Sequence, residues 1–179
     1  MINSFGEVDL YENLTARPRA WFVKQVTVLT SEAVLQAIQT GRLSDGAVFD
    51  PAVTGLLEVE DLGGRAPSLP PIGDSARADV KVERYEPNRI QLSTQNAEPG
   101  FLILSETYYR GWDARIDGVK TPVYRANYAS RGLEIPAGNH RVEFVFRAPS
   151  FRTGAVWSGI GVLLLLGGAV ATRLVRRPA

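Results

Sequence analysis

The side chains able to do chemistry are few, and their types exclude most enzyme classes. The chain has no cysteine, which removes thiolate nucleophiles, thiolate metal sites and disulfides. Its single histidine, His140, is too little for a histidine-based metal site and argues against a Ser-His-Asp triad. The sequence contains no GxGxxG, no P-loop, no GxSxG and no HExxH. We therefore predict no catalytic residue, no metal ion and no cofactor in this chain.

The best-spaced acidic pair does not fit glycoside hydrolysis. Asp113 and Asp117 lie four residues apart on a predicted strand, so their side chains share one face at a separation of ~13 Å. That is too far for a retaining carboxylate pair and longer than usual for an inverting pair. We interpret both as solvated strand charges, and His140 as a residue at the start of a strand.

Two stretches concentrate aromatic and polar residues in a pattern typical of sugar binding. They are Ser105–Trp112 and Tyr124–Arg131. Aromatic rings stack on pyranose faces, while Arg, Asn and Asp fix the hydroxyl groups. The candidate glycan-binding residues are Tyr108, Tyr109, Trp112, Asp113, Tyr124, Arg125, Asn127 and Tyr128. The competing interpretation is that Trp112 and Tyr124 fill the core and that the others order turns.

The N-terminal third predicts a small α+β lobe over residues 1–62. Residues 20–29 are rich in β-branched and aromatic types and predict a strand, and residues 54–60 predict another. Between them, Thr30 or Ser31 caps a helix over about 31–40 that Gly41 ends. Residues 63–78 are rich in Gly and Pro and predict a linker or long surface loop.

Residues 79–148 form the densest run of strand signals. Asp117-Gly118 predicts a two-residue hairpin turn. FLIL at 101–104 is apolar on both faces, as a covered central strand is. The predicted strands are 79–85, 89–95, 101–106, 112–117, 120–125, 130–135 and 140–147. This number and spacing predict a mainly β fold, an antiparallel β-sandwich of jelly-roll-like type.

Charge divides the chain into a mildly acidic part and a basic tail. The 179 residues carry a formal charge of +1, which argues against a nucleic-acid partner. Residues 1–150 carry 16 basic and 19 acidic residues, a net charge of −3. Residues 151–179 carry four Arg and no acid, a net charge of +4. The last segment, 174–179, is a short basic tail.

The tail predicts a transmembrane helix over 151–173. The twenty residues from Thr153 to Thr172 are uncharged and would span ~30 Å as a helix, the thickness of the bilayer core. The alternative is a buried core helix, although a soluble helix of this length usually carries a polar stripe. Small residues predict close packing against other membrane helices, at Gly154, Ser158, Gly159 and Gly161.

Orientation follows from the flanking arginines. Three Arg in the last seven residues favour a cytoplasmic C-terminus, which places residues 1–150 outside the cell membrane. The first twenty residues contain no apolar signal-peptide region. Either further helices precede Met1 in a longer protein, or the soluble part is cytosolic and the protein is tail-anchored.

Four motifs follow one another in order ahead of the apolar tail. They are Tyr108-Tyr109-Arg110-Gly111-Trp112, Asp117-Gly118, Tyr124-Arg125-Ala126-Asn127 and Pro136-Ala137-Gly138. This ordered series resembles the C-terminal end of YfhO-type bacterial membrane proteins, in which a Tyr-Tyr-Pro-Gly-Trp segment precedes an Asp-Gly hairpin, a Tyr-Arg-Ala-Asn segment, a Pro-Ala-Gly turn and a last membrane helix. Arg110 replaces the usual Pro. With Tyr11-Glu12-Asn13 and Pro18-Arg19-Ala20 upstream, the resemblance extends from about Leu10 to the end.

The resemblance implies a role in the cell envelope. The family is similar to GT-C-type glycosyltransferases, which are multi-pass proteins that use polyprenyl-phosphate sugars. Their catalytic acids are expected in loops of the N-terminal region, which this chain does not contain. It implies an extracytoplasmic accessory domain with partners in the bilayer, other transmembrane helices and a glycan or polyprenyl-linked sugar. Two alternatives stay open: a stand-alone membrane-tethered carbohydrate-binding module, and a cytosolic tail-anchored interaction protein.

Overall fold

The chain divides into two compact units, 1–145 and 146–179. The computed structural model describes residues 3–5, 8–14, 16–63, 67 and 78–175. The strands of the first unit are β1 Asn3–Phe5, β2 Val8–Leu10, β3 Ala20–Val23, β4 Gln25–Leu29, β5 Thr54–Glu58, β6 Ala78–Glu86, β7 Arg89–Asn96, β8 Gly100–Leu104, β9 Trp112–Ile116, β10 Val119–Thr121, β11 Tyr124–Ala126, β12 Ser130–Ile135 and β13 Gly138–Phe146, whose last residue begins the second unit. Its helix is α1 Ser31–Thr40, and a 3-10 turn covers Val59–Asp61. The second unit contains α2 Pro149–Val175.

Two larger sheets carry the fold, beside a two-stranded sheet of β1 and β2. One is a five-stranded antiparallel sheet in the order β10-β9-β13-β7-β6. The other has six strands in the order β3-β8-β12-β11-β5-β4, with β4 and β5 parallel. Its two edge strands, β3 and β4, are separated only by Lys24. Because the chain passes from one edge to the other within one residue, this sheet curls back on itself.

The main core lies between these two sheets. The residues buried there come from both sheets and are Ala20, Ile90, Leu92, Leu102, Leu104, Ala114, Ile116, Leu133, Ile135, Val142 and Phe144. The alternating apolar residues of β9, β12 and β13 all face this layer, as the period of two requires. This face-to-face packing confirms a mainly β fold consistent with a sandwich. One of its sheets is mixed and strongly curled, whereas the prediction was a purely antiparallel sandwich.

A second core fills the concave side of the curled sheet. It contains Val23, Leu57, Phe101, Ile103, Tyr124 and Ala126. Gly132 lies directly against the Phe101 ring, since an added Cβ at this position would come within 2.4 Å of it. A small residue is therefore required where the ring crosses β12.

Helix α1 follows its sequence signals. It covers Ser31–Thr40, Thr30 accepts a hydrogen bond from the Ala33 N–H, and Gly41 ends it at φ +66°. Val34 and Ala37 pack on Leu56 of β5. The connection β4-α1-β5 is thus a parallel crossover, whose helix covers the outer face of the curled sheet.

Strands from the two predicted regions 1–62 and 79–148 pair within one sheet. β3, β4 and β5 come from the predicted lobe 1–62, yet β3 pairs with β8 and β5 pairs with β11. The sheet therefore crosses the boundary drawn between 1–62 and 79–148. The predicted strands 20–29 and 120–125 are each divided in two, and β8 ends at Leu104 instead of residue 106. The predicted linker 63–78 lies largely outside the described residues.

Helix α2 occupies the segment predicted to be membrane-spanning. Considering only the described residues, no helix combines the length and the apolarity that a bilayer span needs. The helix is thus confirmed, whereas its membrane-spanning character over 151–173 is not. At Gly154, Gly159 and Gly161 an added Cβ would meet open space. Residues 176–179 of the predicted basic tail lie outside the described residues.

Candidate functional site

We call the β-stranded first unit, residues 1–145, the β body. The two aromatic and polar stretches meet at one end of it. β8 and β12 run antiparallel with Leu104 opposite Arg131, so the loop after β8 and the loop before β12 emerge side by side. The Tyr108 N–H donates to the Ala129 carbonyl at 2.6 Å, which joins the loops 105–111 and 127–129. No local sequence pattern predicts this proximity, because it depends on strand pairing.

Three tyrosines of these loops differ in exposure. Tyr109 is 65% exposed and Tyr128 is 45% exposed, whereas Tyr108 is half-buried. Tyr128 has φ +70° and follows Asn127 at φ +48°, so two consecutive left-handed residues turn the loop outward. Tyr109 and Tyr128 are therefore the predicted glycan-binding rings that present large surfaces to solvent.

The rings of Trp112 and Tyr124 do not form an exposed surface on which a sugar could stack. Tyr124 is buried, its ring lies 5.9 Å from that of Phe101, and its hydroxyl donates to Glu134 at 2.7 Å. The Arg131 guanidinium covers one face of Trp112 at 3.8 Å from the ring centroid. Tyr124 thus lies in the second core, and Trp112 packs at the edge of the main core.

Asn127 and Asp113 have structural contacts. The Asn127 side-chain oxygen accepts from the Leu56 N–H at 2.9 Å, and the backbone N–H of Asn127 donates to the Leu56 carbonyl at 2.8 Å. Asn127 therefore connects β11 to β5. Asp113 pairs with Lys120 at 2.7 Å across the β9–β10 hairpin. Asp113 points to the opposite side of β9 from Trp112, because neighbouring strand residues face opposite ways.

Arg125 belongs to an ionic cluster at the N-terminus of α1. Its guanidinium donates to Asp61 at 2.5 Å and to the buried Glu58 at 2.7 Å. The Ser31 hydroxyl also donates to Glu58, in a very short hydrogen bond. Burial alone would lower the pKa of Arg125, but the hydrogen bond to Asp61 and the charges of Glu58 and Asp61 outweigh it and raise that pKa. Arg125 therefore stays cationic and ties β11 to the end of β5.

A group that we call the polar cap closes the same end of the main core. It consists of Arg19, Tyr85, Glu106, Trp112 and Arg131. The Glu106 carboxylate accepts from Arg19 at 2.5 Å and from the Tyr85 hydroxyl at 2.8 Å. Arg19 also lies over the Tyr85 ring at 4.2 Å. The cap thus places a hydrogen-bonded polar layer over the apolar layer between the sheets.

Arg131 is the most buried member of the polar cap. It is 3% exposed, and its Nε donates to the Thr107 carbonyl at 3.0 Å. Burial lowers the pKa of Arg131 to about 10, although the nearby Glu106 and Tyr85 act in the opposite direction. The hydrogen bond to Glu106 raises the pKa of Tyr85. At neutral pH Arg131 therefore stays cationic and Tyr85 stays a neutral phenol.

Sequence reasoning missed most of the polar cap, although one signal was available. Arg131, Leu133 and Ile135 share one face of β12, and the last two are core residues. A charged residue in phase with two core residues points inward, so its burial was open to prediction. Arg19, Tyr85 and Glu106 come from three separate segments, and no local pattern links them.

Comparison with known proteins finds a family match over part of the chain. Residues 72–158 match the family described as bacterial membrane protein YfhO. A relative described as "Uncharacterized protein YfhO", from Bacillus subtilis (strain 168), is 26% identical over 80 residues. That match covers 45% of this chain and 9% of the relative, so the chain corresponds to a small part of it. No solved structure matches.

The matched segment begins just before β6 and ends within α2, so it includes both the loop 105–111 and the loop 127–129. It contains every motif on which the resemblance was based except the two upstream of residue 72. The resemblance to the YfhO family of bacterial membrane proteins is thereby confirmed over residues 72–158.

Proposed function

We propose that this chain is an extracytoplasmic accessory domain and closing helix of a YfhO-like multi-pass membrane protein of the glycosyltransferase type, without catalytic residues of its own. The family match over residues 72–158 is the observation that carries the proposal. The small share of the relative that the chain covers, 9%, fits an accessory part whose activity resides elsewhere.

Membrane insertion of α2 is part of the proposal. Twenty uncharged residues run from Thr153 to Thr172, and Arg173, Arg176 and Arg177 follow them. Within its unit the helix exposes four consecutive leucines, Leu163–Leu166. A stretch of this kind is stable in lipid, where its backbone bonds are satisfied internally and its side chains need no water. The arginines then lie on the cytoplasmic side and the β body outside.

Glycan binding is assigned to the surface between the loops 105–111 and 127–129. Tyr109 and Tyr128 offer exposed rings on two joined loops. Arg125 lies three residues before Tyr128 in the chain, and its guanidinium is held by Asp61 and Glu58. Rings that stack on sugars, with polar groups at the edge, form a shallow platform suited to a polymer.

The experiment is a binding titration of the full chain in neutral detergent with oligosaccharide fragments released from the source cell envelope. Wild-type protein is compared with the double variant Tyr109→Ala/Tyr128→Ala and with Tyr11→Ala, a control tyrosine that is also well exposed, at 67%. We expect the double variant to lose at least tenfold in affinity and the control to keep it, because each stacked ring contributes on the order of 1 kcal/mol. Equal affinity of all three proteins would reject this surface.

A further inference from the structure

The polar cap contains a buried guanidinium with an unused donor. Nη1 of Arg131 is inaccessible to solvent and has no hydrogen-bond partner among the described residues. The other side of the group is held firmly, since Nε donates to the Thr107 carbonyl and Trp112 stacks on the guanidinium plane. Buried donors on charged groups are normally paired, because leaving one unpaired is costly. The unused donor is thus an exception that needs a reason.

The charges around Arg131 are also unbalanced. The cap holds two guanidinium groups, Arg19 and Arg131, and one carboxylate, Glu106. That carboxylate is engaged by Arg19 at 2.5 Å and by Tyr85 at 2.8 Å. It attracts Arg131 through space. One positive charge therefore remains without a carboxylate of its own in a largely buried position.

We propose that the polar cap binds an anionic group, a phosphate or a carboxylate, that accepts hydrogen bonds from Nη1 of Arg131 and from Arg19. A planar guanidinium presents its donors as a fork that fits two oxygens of either group. Trp112 fixes the plane of that fork, so little ordering is needed on binding. Glu106 acts as the resident carboxylate that the incoming anion displaces from Arg19.

Access to the site runs through the loop 105–111. The Thr107 carbonyl lies on Arg131, and Glu106 and Thr107 are neighbours in this loop. In the proposed binding step this loop shifts so that Glu106 releases Arg19, which opens a path to Nη1 of Arg131. The proposal does not depend on glycan binding, because it involves neither Tyr109 nor Tyr128.

The test is thermal unfolding of the full chain in neutral detergent, followed by the fluorescence of Trp112 in the Trp21→Phe/Trp157→Phe background. Sodium phosphate and sodium acetate are compared with sodium chloride at matched ionic strength. We expect at least one of the two oxyanions to raise the unfolding midpoint by about 3–6 °C at roughly ten times its Kd. The more effective salt identifies the class of anion. No difference from chloride for either salt would overturn the proposal.

Three variants separate the site from a general charge effect. Arg131→Met removes the buried cation while keeping its apolar contacts, and we expect it to fold and to lose the anion response. Glu106→Gln removes the competing charge, and we expect roughly tenfold tighter anion binding. Arg110→Gln, an exposed arginine of the same loop, removes an equal charge and should leave the response unchanged.

Two results would contradict the site. One is an anion response that persists in Arg131→Met. The other is a Glu106→Gln variant that binds anions no more tightly than the parent, and this arm decides the question even if Arg131→Met does not fold. A purely structural polar cap predicts no anion response in any of these proteins.

Discussion

Single residues determine how closely the strands of the curled sheet approach. Gly132 is the clearest case, because the Phe101 ring occupies the space of its missing side chain. Arg131, the neighbouring residue, faces the opposite side and reaches the main core. Two adjacent residues of β12 thus serve two different layers, as the alternation of strand side chains requires.

Replacing Gly132 by Ala should destabilise the β body. A Cβ at 2.4 Å from the Phe101 ring forces the ring or β12 to move, and such overpacking typically costs 1–3 kcal/mol, so we expect a loss of about 2 kcal/mol. Chemical denaturation of the full chain measures the effect. The double variant Gly132→Ala/Phe101→Leu makes room for the methyl group, so its loss should be smaller than the sum of the two single losses. Additive losses would contradict the steric explanation.

The pair His140 and Asp117 predicts a pH dependence. Nδ1 of His140 lies 2.6 Å from Asp117. This contact raises the pKa of His140 and, together with the Arg141 N–H, lowers that of Asp117. The stabilising effect of His140 is complete below its unfolded pKa of about 6.5 and is lost as pH rises through its higher folded pKa. That of Asp117 is lost as pH falls through its lowered pKa.

NMR titration of the single histidine measures this pair directly. We expect a pKa above 6.5 in the wild-type chain and a value closer to 6.5 in Asp117→Asn. Asn tolerates the left-handed backbone of Asp117, at φ +49°, so the turn is retained while the charge is removed. An unchanged histidine pKa in this variant would show that Asp117 does not stabilise the imidazolium.

At the scale of elements, local signals predicted the elements themselves better than their partners. Helix α1 begins and ends as its Thr30 and Gly41 signals indicate, and Asp117-Gly118 forms the predicted hairpin between β9 and β10. The pairing of β3 with β8 and of β5 with β11 joins segments far apart in sequence, and no local periodicity encodes it. The meeting of the loops 105–111 and 127–129 was missed for the same reason.

Asn127 tests whether one side chain holds two elements together. Asn127→Gly keeps the left-handed backbone but removes the hydrogen bond to Leu56, so we expect a loss of about 1 kcal/mol. Asn127→Ala also strains the backbone at φ +48°, so its loss should be about 1 kcal/mol larger. Denaturant midpoints of the two variants supply the comparison. If the Gly variant is the less stable of the two, the backbone argument fails.

At the scale of the whole molecule, the family match over residues 72–158 and the charge pattern together support the proposed role. The motifs that carry the resemblance fall mostly in residues 72–158, where the family match lies. The polar cap and the exposed tyrosines occupy one end of the β body, formed by this segment together with Arg19. The proposed role requires that this body face the outside of the cell membrane.

The absence of cysteine from the chain makes one measurement especially direct. Val119→Cys places a single thiol on β10, at a position that is 69% exposed. Intact source cells expressing the protein are treated with a membrane-impermeant maleimide, and the chain is then immunoprecipitated. Leu57→Cys, at a fully buried position, is the control for labelling of unfolded protein. We expect Val119→Cys to be labelled in intact cells, whereas labelling only after the cytoplasmic membrane is permeabilised would contradict an extracytoplasmic β body.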